Sequence, residues 1–135
     1  MSETVKVFFD TNVLLYLLSG DAAKADRAEG VVASGGFVSV QVLNEFASVA
    51  SRKLEMTYPE IRDALAPIRA VCEVASITSG THDLGLEIAE RYGFSVYDAL
   101  IIASALLAGC EVLHSEALQD GRRIDKQLVI RNPFL

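Results

Sequence analysis

Along the whole chain, short runs of β-branched and aromatic residues alternate with apolar residues at helical spacing, an order that few architectures accept. Val5-Lys6-Val7-Phe8-Phe9 reads as a first strand that stops at Asp10, and residues 13–18 continue as a helix. Ser19-Gly20-Asp21 breaks the pattern, and a second helix over 22–33 places Ala25, Ala28, Val31 and Val32 on one face. Gly35-Gly36 then introduces a strand over 37–40. Val42, Leu43, Phe46, Val49 and Ala50 define a third helix, which carries Glu45. Thr57-Tyr58-Pro59-Glu60 is a capping box with proline where its missing N–H does no harm, so a fourth helix starts near Tyr58.

The second half repeats the alternation. A strand is expected over 74–78, then a helix marked by Leu84, Ile88 and Ala89 that stops at Gly93. Residues 99–108 carry only Ser104 as a polar residue, so this helix, entered through Tyr97-Asp98 and closed by Gly109, should be buried on most sides. Strands over 112–114 and 127–130 flank a polar turn at Asp120-Gly121-Arg122-Arg123. The prediction is an α/β three-layer sandwich: a central, mainly parallel sheet with helices on both faces. At 135 residues and 51% hydrophobic content the chain should form one domain, residues 1–135, and disorder is excluded.

Composition narrows the function. The apolar run 13–18 is far shorter than the roughly 20 residues of a membrane span. Asp10 and Asn12 would interrupt a secretion signal, so a cytoplasmic protein without membrane contact is expected. The net charge of −6 denies the chain a broad electrostatic footprint for nucleic acid, so any phosphate ligand needs local help, such as a cation held by carboxylates. Cys72 and Cys110 lack metal-motif spacing and read as buried free thiols; His82 and His114 lie too far apart in sequence to form a zinc motif.

In an open parallel sheet the ligand crevice lies beyond the carboxyl ends of the strands. Asp10 ends the first strand and Glu116 follows the strand over 112–114, so both should reach that edge. Asp98 opens the most apolar helix and Glu45 is the lone acid on its helix. A divalent cation would relieve the repulsion among such carboxylates, and Mg²⁺ or Mn²⁺ prefers oxygen ligands. Each acid also has a plainer reading: Asp10 as a helix cap, Asp98 within a Ser95–Asp98 capping box, Glu45 as a solvated helix residue, Glu116 and Asp120 as turn residues. Arg122, Arg123 and Lys126 are either solvent-facing charges or contacts to a nucleic-acid backbone.

Phe9-Asp10-Thr11-Asn12, Asn44-Glu45, Tyr97-Asp98-Ala99 and a strand running into Ser115-Glu116, in this order and spacing, resemble the PIN-domain ribonucleases. More narrowly, the chain resembles VapC-type toxins of bacterial or archaeal toxin–antitoxin pairs, down to its Ile130-Arg131-Asn132-Pro133-Phe134 ending. The resemblance implies a Mg²⁺- or Mn²⁺-dependent endoribonuclease with Asp10, Glu45 and Asp98 as metal ligands and Thr11 orienting the first of them. Glu116 joins them as a catalytic candidate and Ser115 as a supporting hydroxyl, with Arg122, Arg123 and Lys126 on the RNA. It further implies a homodimer inhibited by a cognate antitoxin protein. The family's fourth acid falls at Ala117 here. Either Glu116 or Asp120 substitutes for it, which a helical turn after His114 would allow by placing the two on one face at i, i+4, or the chain is an attenuated scaffold that binds without cutting. A haloacid-dehalogenase-type phosphatase also has an aspartate ending its first strand, but it needs a second where this chain has Asn12.

Overall fold

The computed structural model describes residues 5–135; residues 1–4 of the expected 1–135 unit lie outside the described residues. Six strands form one sheet: β1 (Val7–Phe9), β2 (Gly36–Ser39), β3 (Cys72–Ala75), β4 (Val112–His114), β5 (Arg123–Ile124) and β6 (Leu128–Arg131). Their order is β3-β2-β1-β4-β6-β5, parallel throughout except for β5 against β6. The helices are α1 (Thr11–Leu15, extended by a 3₁₀ turn at Tyr16–Leu18), α2 (Ala22–Ala33), α3 (Val40–Lys53), α4 (Tyr58–Val71), α5 (Ser79–Tyr92) and α6 (Val96–Leu107). None is long and apolar enough to cross a membrane. The mainly parallel α/β sandwich is therefore the observed architecture.

β1 sits centrally, and Phe8 and Phe9 are both fully buried because apolar neighbours cover both faces of the strand. The chain leaves β1 toward β2 and β3 and later returns to its other side as β4, so the order reverses between β1 and β4. That reversal opens the sheet's crevice at the carboxyl ends of these two strands. The helices fall into two sets by what they touch: α1 to α4 contact one another, and α5 packs along α6.

Several boundaries differ from the sequence reading for local reasons. β3 begins at Cys72 rather than residue 74, since α4 runs to Val71, and Thr78 is taken as the N-cap of α5 in a reciprocal box with Thr81. Ser39 caps α3, which moves Val40 from strand into helix. Arg123, expected in a turn, is in β5, and Gln127 is in the turn between β5 and β6, its N–H donating to the Ile124 carbonyl at 3.1 Å. Cys72 and Cys110 are buried and free, and burial pushes the Cys110 thiol up to about 12, so both stay protonated at neutral pH.

Gly35 turns the chain from α2 into β2 with φ +81°, and a Cβ there would lie 2.5 Å from the Val71 carbonyl oxygen. Gly93 has a similar φ of +79° but open space around it. Gly35→Ala should cost about 2–4 kcal/mol, from left-handed strain plus a clash with backbone, and Gly93→Ala only about 1–2 kcal/mol. Urea unfolding of the two variants tests this; equal losses would show that the Gly35 contact relaxes freely.

Candidate active site

Asp10 follows β1 directly and Ser115 follows β4, and the parallel register Phe9↔His114 sets them side by side. The Asp10 N–H donates to the His114 carbonyl (3.0 Å), continuing the ladder by one more bond. Both side chains are buried. One oxygen of Asp10 accepts the Thr11 N–H (2.7 Å), capping α1. The other accepts the Ser115 hydroxyl (2.8 Å) and the Asn12 amide (3.3 Å). The aspartate is thus both cap and candidate ligand, which the sequence had offered as alternatives.

Glu45 and Asp98 reach the same place from helices. The Thr11 hydroxyl, expected to orient Asp10, instead donates to Glu45 Oε1 at 2.7 Å because α3 brings Glu45 within its reach, and Thr11 serves Asp10 only through its backbone N–H. Ser95 caps α6 by accepting the Asp98 N–H, while the Asp98 carboxylate faces the same cavity as Asp10 and Glu45. That cavity has a volume of about 370 Å³ and is also lined by Asn12, Leu15, Ser48, Val49, Arg52, Ile101 and Ala117. Burial, and then the like charges of Glu45 and Asp98, raise the Asp10 pKa against the lowering effect of its hydrogen bonds. Among the described residues no three His, Cys, Asp or Glu side chains are arranged to hold a metal ion as they stand. The donors nonetheless suit a hard divalent cation in kind: oxygens only, around a buried carboxylate whose charge is unbalanced.

Residues 7–119 match the PIN-domain family. The chain belongs to that family. Among solved structures, a toxin–antitoxin complex from Klebsiella pneumoniae is similar, with a TM-score of 0.73 at 20% identity over 95% of this chain and 98% of the other. The sarcin–ricin-loop-cleaving toxin VapC20 of Mycobacterium tuberculosis gives 0.65 at 22% identity, over 80% of this chain and 87% of the other. VapBC2 of Rickettsia felis, bound to a promoter DNA fragment, gives 0.65 at 18% identity over 95% and 98%. At these identities the likeness is one of fold. No curated protein matches the chain.

The other sequence candidates in this PIN domain lie elsewhere. Glu116 does not line the cavity: its carboxylate accepts from the Tyr16 hydroxyl and from Lys24 (3.2 Å). The backbone turns through bends at 116–118 instead of forming a helix, so adjacent side chains diverge, and position 117 faces the cavity. Asp120 accepts the Asn132 N–H (2.8 Å) and is likewise away from the cavity. Arg122 donates to the Tyr92 carbonyl (2.7 Å) and stacks 4.5 Å from the Phe94 ring, bracing the end of α5. Arg123 is on the short edge strand and Lys126 in the turn after it, with φ +59°. His82 is exposed on α5. Burial lowers the His114 pKa, and its ring stacks on Phe9.

Asn12, Ser48 and Arg52 were not singled out as site residues from the sequence. Asn12 ties the two strand ends together, its amide reaching Asp10 and Ser115 (3.4 Å) and its Oδ1 accepting the Glu116 N–H (3.0 Å). Ser48 and Arg52 follow Glu45 at three and seven positions along α3, the spacing of one helical face, and that was the available signal.

A carboxyl whose pKa is higher folded than unfolded binds its proton more tightly in the native state. Its contribution therefore erodes stability as pH rises from its unfolded value of about 3.9 through the folded one. Asp10→Asn removes that penalty. In metal-free buffer its stability relative to the parent should rise as pH climbs above about 4. Chemical unfolding at several pH values measures this, and a pH-independent difference would show that Asp10 titrates normally.

Proposed function

We propose that this PIN domain is a divalent-metal-dependent endoribonuclease, the toxin of a toxin–antitoxin pair, with a cognate antitoxin protein as partner and a homodimer as its working assembly. The observation that carries the reading is the buried, hydrogen-bonded Asp10 at the β1/β4 crevice, sharing one cavity with Glu45 and Asp98. The shared fold with a sarcin–ricin-loop-cleaving toxin and with a member of a toxin–antitoxin complex supports the substrate class and the partner.

Asp10, Glu45 and Asp98 would hold Mg²⁺ or Mn²⁺. When bound, such an ion lowers the pKa of a water and offsets charge on phosphate oxygens. The protein's own part is positioning. Ser115 and Asn12 fix one oxygen of Asp10 and Thr11 fixes Glu45, so two carboxylates are set before any ligand arrives. Asp98 sits in the N-terminal turn of α6, its backbone N–H held by the Ser95 hydroxyl.

A second reading, a scaffold that binds but cuts slowly, is favoured by one observation: the residue that faces the cavity after β4 is Ala117, whose methyl offers no ligand. The two readings separate in one assay series on an RNA oligonucleotide with Mn²⁺. The parent should cut, and Asp10→Asn or Asp98→Asn should lower the rate at least ~100-fold. Glu116→Gln should stay within a few-fold of the parent because Glu116 is engaged by Tyr16 and Lys24. Millimolar Mn²⁺ should raise the Tm of the parent, and chelation should reverse the rise. A parent without Mn²⁺-dependent cleavage would overturn the nuclease reading.

If position 117 is the missing ligand, Ala117→Asp should raise cleavage ~5- to 150-fold, equivalent to ~1–3 kcal/mol of transition-state stabilisation, and tighten Mn²⁺ binding. Unchanged rate and affinity would show that the three remaining carboxylates suffice.

A further inference from the structure

Among the described residues, the cavity that holds Asp10, Glu45 and Asp98 has one cationic side chain in its wall, Arg52. It lies seven residues beyond Glu45 on α3, two helical turns, and helical side chains lean toward the N-terminus. Arg52 therefore leans back over the preceding turn, where its Nε donates to the Ser48 hydroxyl at 3.1 Å. Ser48 lines the cavity too. With Nε anchored, among the described residues the two terminal amino groups of the guanidinium have no acceptor and no carboxylate pairs with Arg52.

This arrangement is unusual for an arginine beside three acids, which would be expected to capture it. Arg52 is instead oriented by a neutral hydroxyl and keeps a planar pair of donors exposed at the rim, the form in which arginine recognises phosphate. The basic residues that the sequence offered for RNA do not supply that contact, because Arg122 braces α5 and neither Arg123 nor Lys126 lines the cavity. A polyanion approaching three carboxylates on a chain of net charge −6 needs a local cation.

We propose that Arg52, oriented by Ser48, binds a backbone phosphate of the RNA next to the bond that is cut, making α3 the element that carries both a candidate metal ligand and a substrate contact. The proposal rests on the ribonuclease reading for its substrate, and it deepens that reading by fixing where the strand enters the cavity. The plainer role for Arg52 is a cation in the last turn of α3, where it complements the helix dipole. Lys53 shares that last turn and does not line the cavity, so it provides the control.

The test compares Arg52→Gln, Arg52→Lys and Lys53→Gln. Cleavage of an RNA oligonucleotide with Mn²⁺ gives kcat and KM, and fluorescence anisotropy on the Asp10→Asn background gives RNA binding without turnover. Arg52→Gln should raise KM about tenfold with kcat within about twofold, and should reduce the slope of log affinity against log salt by about 0.7, the loss of one phosphate contact on a single strand. Arg52→Lys should recover most of the slope, since it keeps the charge. Lys53→Gln should leave KM and slope at the parental values while shifting Tm as much as Arg52→Gln does.

Equal KM and slope for Arg52→Gln and Lys53→Gln would overturn the proposal. So would an Arg52→Gln variant that binds RNA normally but loses affinity for poly-glutamate, because the arginine would then serve an acidic protein. If the parent fails to cut RNA, the nuclease reading falls, and anisotropy still decides the arginine. Binding that depends on Arg52 upholds the contact. Binding that does not, or no binding at all, removes it.

Discussion

Asp10 is a carboxylate kept out of water at the seam between two parallel strands, and its surroundings are arranged to make that tolerable. The β1–β4 register supplies the Ser115 hydroxyl, the first turn of α1 supplies an N–H, and Asn12 supplies an amide. An ionised carboxylate so placed without donors would cost several kcal/mol. With them it remains loaded by burial and by two neighbouring acids, which hold its pKa above the ordinary value. The fold therefore makes the charge of Asp10 costly at one point, and the crevice between β1 and β4 gives that point access to a ligand.

The rest of the local architecture can be read as management of that charge. Thr11 keeps Glu45 in a fixed position beside Asp10, and Ser95 takes the capping duty of α6 so that the Asp98 carboxylate is left to the cavity. Glu116 is drawn away by Tyr16 and Lys24, and Lys24 also lies 4.6 Å from the Tyr16 ring centre. The loop after β4 is thereby held with residue 117 facing the carboxylates. Tyr16 also packs against Phe134 in a tilted arrangement, and Arg27 donates to the Pro133 carbonyl at 2.6 Å, which docks the C-terminal segment beside this clamp. A segment distant from the cavity thus shares residues with the loop that lines it.

The order of strands and helices, the burial of the 96–107 helix and the place of Asp10 at the sheet's crevice were legible in the sequence, because each depends on periodicity or on a rule about parallel sheets. The same rule brought Glu116 to that edge, where Tyr16 and Lys24 draw it away, and only the family resemblance joined Glu45 and Asp98 to Asp10. The capping boxes were less decisive. Thr57 and Glu60 form theirs in full, whereas at Ser95 and Asp98 only the hydroxyl bond is made and Asp98 lines the cavity. Strand ends moved by one or two residues wherever a cap competed with the sheet, as at Ser39 and Thr78.

By itself, the sequence determined that Asp10 ends a buried strand, that Glu45 and Asp98 ride on helices whose other faces are apolar, and that position 117 carries no acid, for these follow from residue identity and local period. Only the tertiary structure decided which neighbouring groups meet. Adjacent residues after β4 point apart, so Glu116 goes to Lys24 and Ala117 to the cavity, and Arg122 is spent on bracing α5 while Arg52 lines the cavity. The physical reason is that pairing among polar side chains depends on distances between segments far apart in sequence, such as the 103 positions between Asn12 and Ser115, and no local pattern encodes them.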